Sequence, residues 1–130
     1  LSRNETMNRL AIAVVCVVLL TNCSDPNIRC ENQEEAYLIA ELYFAGRQDK
    51  LPHMGGLVAG YSSKDTQVTY LGECTHKVQS VVTENNKNLR PIFMTFEAVV
   101  VNDYGSENWK LKFLEVKDSN GKVLITEKNE

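Results

Sequence analysis

Apolar and polar positions alternate through the second half of the chain with the two-residue period of half-buried strands. The stretch 91–101 carries the pattern most clearly, with Ile92, Met94, Phe96, Ala98 and Val100 on one face. Its other face holds Phe93, Thr95 and Glu97, then Val99 and Val101, so the far half of this strand is expected to be covered on both sides. Trp109, Leu111 and Phe113 alternate with Lys110 and Lys112. The phase then slips to Leu114 and Val116, which predicts a bulge after Phe113. Ser119-Asn120-Gly121 predicts a hairpin, because Asn-Gly suits the positive φ angles of a tight turn, and 123–126 reads as the returning strand. Residues 67–71 and 75–83 supply earlier strands, and the polar run 85–88 and the Gly105-containing run 102–107 supply connections. One stretch has a different period. Ala36, Ile39, Ala40 and Tyr43 recur at helical spacing, with Leu38 and Leu42 widening the stripe. Asn32 followed by Glu35 reads as a capping box, and Gly46 can take the left-handed conformation that ends helices. Residues 50–63, punctuated by Pro52, Gly55, Gly56 and Gly60, read as an irregular connector. The expected class is α+β: one helix over about 33–45 packed on an antiparallel meander of four to five strands.

The N-terminal segment follows neither period. Met7-Asn8-Arg9 leads into an unbroken apolar run over 10–20, and Thr21-Asn22-Cys23 follows. A helix of that run would cover roughly 17 Å against a hydrocarbon core of about 30 Å, which suits a signal-peptide core better than a membrane span. Residues 1–6 fall before the natural start at Met7 and read as an upstream extension.

Leu20-Thr21-Asn22-Cys23 resembles the lipobox of bacterial lipoproteins, with the aliphatic residue three before the Cys and Asn22 where a small residue is usual. The resemblance implies diacylglycerol on Cys23 and a fatty acyl group, such as palmitate, on its freed amine. It also implies that Ser24 directs the protein to the outer membrane, facing the periplasm. Ordinary cleavage after Cys23, giving a soluble periplasmic or secreted protein, is the alternative. The organisation read from the chain is a signal peptide over 1–22, a lipidated tether over 23–31 and a single small domain over 32–130.

Charge and cysteines narrow the picture. From Cys23 onward twelve Lys/Arg stand against sixteen Asp/Glu, a net of −4, which argues against nucleic acid and against a polybasic membrane patch. Cys16 leaves with the signal peptide and Cys23 takes lipid, so Cys30 and Cys74 remain as an even pair in an oxidising compartment and are expected to form a disulfide.

Candidate chemistry is thin. His53-Met54 and Cys74-Thr75-His76 contain donors that suit copper, but neither has a matching second cluster, so no metal is expected and His76 reads as a surface strand residue. No nucleophile motif appears, and Glu34-Glu35 are explained by the helix dipole. No catalytic residue, cofactor or small-molecule substrate is therefore indicated. The helix-then-meander outline is similar to that of cystatin-like domains, and Leu57-Val58-Ala59-Gly60 faintly resembles their Val-x-Gly hairpin without the preceding Gln. Such an outline carries no function by itself. Tyr37 and Phe44, seven residues apart, are a candidate exposed patch for a protein partner, with packing beneath the connector as the other reading. The expected function is a non-enzymatic binding or accessory module in the cell envelope. A periplasmic inhibitor or immunity protein that blocks an enzyme is the alternative.

Overall fold

The computed structural model describes residues 29–51, 57–85 and 91–130. Within them, a helix α1 (Gln33–Ala45) packs on one face of an antiparallel sheet of β1 (Leu57–Val58), β2 (Gln67–Gly72), β3 (Thr75–Asn85), β4 (Pro91–Asn102), β5 (Trp109–Lys117) and β6 (Val123–Lys128). The α+β class read from the sequence is the one observed. The six strands fill five positions, because β1 and β2 pair with different halves of the same edge of β3. β1 sits opposite Val82 and Thr83, and β2 sits opposite the stretch from Thr75 to Gln79. The connector thus contributes a short strand where only irregular chain was expected.

The helix start follows the sequence. The Asn32 side chain accepts a hydrogen bond from the Glu35 backbone N–H at 3.0 Å, so one orphan donor of the first turn is met. The reciprocal half of the capping box is absent. The Glu35 carboxylate instead accepts from Trp109 Nε1 at 2.9 Å and from Arg29 Nε at 3.2 Å, tying the helix entry to β5. Gly46 caps the other end at φ −68°, so the left-handed stop is not used, and a 3₁₀ turn (Gln48–Lys50) follows directly.

Ala36, Tyr37, Ala40 and Phe44 form the inner side of α1. The two alanines bring the helix backbone close to the sheet, and the Phe44 ring stacks on Phe96 with centroids 4.9 Å apart. Val78, Val82, Met94, Ala98 and Val100 meet them from β3 and β4, and Leu111, Leu114, Val116 and Ile125 from β5 and β6. The change of phase on β5 is real: Val99 pairs with Phe113 but Val100 pairs with Leu111, so Lys112 is the extra residue. The bulge thus falls one residue before Phe113, not after it.

The β5–β6 turn also differs in detail. Asp118 accepts at its backbone from Gly121 N and through its carboxylate from Asn120 N and Lys122 N. Only Gly121, at φ 81°, enters the left-handed region. The connection is a four-residue turn closed by Asp118, with Asn120 in an ordinary conformation. At the helix C-terminus, Arg47 makes a two-pronged pair with Glu127 of β6, at 2.8 and 2.7 Å. Among the described residues, no helix is long and apolar enough to cross a membrane.

Candidate functional site

The turn between β2 and β3 is where the two cysteines meet. Gly72 pairs with Thr75, leaving Glu73 and Cys74 as the loop. Gly72, Glu73 and Cys74 adopt φ of 89°, 50° and 57°. Two consecutive left-handed residues make the type I′ geometry that hairpins prefer, normally with Asn-Gly. Glu and Cys carry a Cβ, so each costs about 1–2 kcal/mol there. The Tyr70 hydroxyl accepts from Cys74 N at 3.1 Å, and Cys74 Sγ lies at disulfide distance from Cys30 Sγ. Cys30 is already part of the packed domain: it lies in a helical turn with Arg29 and is buried. Its sulfur lies 3.8 Å from Oδ1 of Asn102, whose side-chain amide donates to the carbonyl of Ser106 and whose Oδ1 accepts from Gly105 N. One clasp therefore joins the helix entry, the β2–β3 turn and the β4–β5 turn.

His76 lies beneath this clasp and is fully buried, which corrects its reading as a surface residue. Its position on the inner face of β3, opposite Val100, is the cause. The ring packs 4.9 Å from Tyr70 and 6.0 Å from Trp109. Among the described residues, neither ring nitrogen meets a partner in hydrogen-bond geometry. Burial lowers its pKa, and the nearby Glu31 opposes that shift only in part, so the ring is neutral at pH 7. Among the described residues, no group of three or more His, Cys, Asp or Glu is placed to hold a metal ion. Cys23, His53 and Met54 lie outside the described residues.

Tyr37 and Phe44 are not an exposed patch. They are 4% and 1% exposed, and the reason is angular: at about 100° per residue both fall within about 60° of Ala40, on the side facing the sheet. The Tyr37 hydroxyl donates to the carbonyl of Ala59, so the segment after β1 covers it. Burial, followed by the Glu41 carboxylate, pushes the Tyr37 phenol up to about 12. Leu38 and Leu42 take the exposed role, at 51% and 67%. They stand about 160° from Ala40 on either side, so they project away from the sheet. Beside them, Ile39, Leu42, Tyr43, Glu107, Asn108 and Trp109 line a groove of about 400 Å³ between α1 and the β4–β5 turn. Trp109 is fixed in its wall by the Glu35 bond, and Tyr43 by donating to the Trp109 carbonyl at 3.0 Å.

The result is a firmly held helix that displays a leucine ridge and an adjoining apolar groove. Glu34 flanks the ridge from the first helical turn and Glu41 from the third, while the last turn carries no basic residue. Comparison of the chain with family models, curated proteins and solved structures finds no match.

Proposed function

We propose that this chain is a cell-envelope lipoprotein whose small domain is a non-enzymatic binding module, held by lipid on Cys23 and facing the periplasm from the outer membrane. The observation that carries the binding role is the outward display of Leu38 and Leu42 on a helix whose opposite side already fills the core. Each leucine leaves half or more of its surface exposed, apolar area that burial against a partner would remove from water at about 25 cal/mol per Å². Export fits the pairing of Cys30 with Cys74, because disulfides persist in oxidising compartments.

The test is metabolic labelling with palmitate, followed by membrane fractionation. Wild type is expected to take label and to sediment with the outer membrane. Cys23→Ser is expected to lose the label and to appear soluble or unprocessed. A wild-type chain that never takes label, or a mutant that keeps it, overturns the lipoprotein reading; sedimentation wholly with the inner membrane overturns the sorting.

A further inference from the structure

We propose that the leucine ridge of α1 on one copy docks on the open face of the sheet of a second copy, giving a head-to-tail association. The open face is the side of the sheet opposite α1, and among the described residues no element covers it. Strand register places Lys77, Val99, Phe113 and Lys128 in one row across β3 to β6 on this face, and Val101 and Lys110 in the next. Val99, Val101 and Phe113 are half-buried, so they form a shallow apolar strip; Lys110 and Lys128 stand exposed at its rim. These two rows contain no acidic residue.

The ridge has the opposite character. Leu38 and Leu42 supply the apolar centre, and Glu34 and Glu41 supply the charge. Among the described residues neither carboxylate is in an ion pair, and neither is Lys77, Lys110 or Lys128. An apolar centre with an acidic flank therefore exists on one side of the molecule; on the other, an apolar strip has free lysines along one side, while Glu97 and Glu115 in the following row are engaged by Gln79 and Lys117. Complementary charge across an apolar contact fixes register and suppresses wrong partners. The same glutamates disfavour an anionic lipid surface as the occupant of the ridge.

The two surfaces face away from each other, so one copy cannot satisfy itself. The contact is heterologous and leaves one free ridge and one free sheet face at the ends of any chain of copies. A two-leucine ridge buries less than the about 1,200–2,000 Å² of a standard stable interface, so the association is weak in free solution. Attachment of neighbouring copies to one membrane raises their effective concentration and favours it. The inference rests on reading the outer side of α1 as a binding surface, but it does not depend on the lipid.

The full chain is expressed in one cell in two tagged versions, one carrying a photo-crosslinking amino acid at Leu42. The expected product is a covalent adduct between the two versions, mapped to β4 or β5 of the acceptor. Lys110→Glu with Lys128→Glu in the acceptor is expected to lower the yield roughly fivefold. The same pair placed in the probe-bearing copy leaves the yield unchanged, because that copy contributes its ridge. Glu34→Lys with Glu41→Lys in the probe-bearing copy is expected to restore the yield against the charge-reversed acceptor, which a merely misfolded acceptor could not do. Adducts joining two α1 ridges, adducts only with lipid, or equal effects in both copies overturn the head-to-tail contact. Adducts only with a different protein overturn self-association and leave the ridge a binding surface. No adduct of any kind overturns both.

Discussion

Removing the clasp between Cys30 and Cys74 is the sharpest test of how the domain is held. The bridge spans 44 residues, and in the chain-entropy model a loop of that size stabilises the fold by about 4 kcal/mol. Part of this is offset by the left-handed backbone at Glu73 and Cys74, which the clasp helps to enforce and which can relax once it is gone. A net loss of roughly 2–4 kcal/mol is expected for Cys30→Ala or Cys74→Ala. For a domain of about 100 residues this lowers the melting temperature by about 10–20 °C. Thermal unfolding followed by circular dichroism reads the shift directly. The double variant is expected to melt within about 2 °C of the singles, because all three break one bond. Losses that add, or two thiols titrated in unfolded but unreduced wild type, would refute the clasp and reduce the cysteines to buried side chains.

Phe44→Ala removes a 1% exposed ring stacked on Phe96 and is expected to cost about 3–5 kcal/mol in denaturant unfolding; a cost below about 1 kcal/mol would place Phe44 outside the core. His76 has a folded pKa below the ordinary 6.5, so the unfolded chain takes up the proton first as pH falls. Its contribution is fully present above about pH 6.5 and declines below it by at most about 1.4 kcal/mol per pH unit. His76→Leu is expected to flatten that part of the stability–pH curve and to leave stability at pH 7 equal or higher by about 1 kcal/mol, since no hydrogen bond is lost. Hydrogen bonding to Arg47 holds the Glu127 carboxyl at about 2 against an ordinary 4.5, so this pair stabilises the fold above about pH 4.5 and fades as pH falls toward 2. Because the pair is partly in water, Glu127→Gln is expected to cost only about 1 kcal/mol at neutral pH and nothing near pH 2, read by urea unfolding at both values.

The strands were legible because a two-residue period leaves little freedom. Once Met94, Phe96, Ala98 and Val100 are read as one face, the partner faces follow by pairing, and the slip on β5 announces its own bulge. The helix was legible in place and capping but not in rotation. A stripe of Ala36, Ile39, Ala40 and Tyr43, widened by Leu38 and Leu42, is centred roughly a sixth of a turn from the inner side, which counted the leucines as packed; packing of Tyr37 and Phe44 beneath the connector, the other reading, is the one observed. Angles measured from Ala36 and Ala40, the two residues small enough for close approach to a sheet, would have found the ridge. The short strand β1 had no such signal. Two residues carry no period, and Leu57 and Val58 join the sheet only because β3 outruns β2 at Val82 and Thr83. The burial of His76, by contrast, was legible in the period, since it shares its face of the strand with Val78 and Val82.

The division of one sheet edge between β1 and β2 bears on how copies can misassociate. A continuous free strand is a template for adding strands from other chains, and a sheet with two such edges can grow without limit. Here the chain leaves β3 after Ala59 and returns at Gln67, and the Thr66 hydroxyl bonds to that of Ser80 within the break. No incoming strand can run along that side in unbroken register. β6 is the opposite edge of the sheet, six residues long like β2. Strand addition there, between two copies, consumes both β6 edges and leaves only the side that β1 and β2 divide into separate pieces. Growth through the backbone on that side is thereby confined to short, separate stretches, and a long unbroken strand finds no template there.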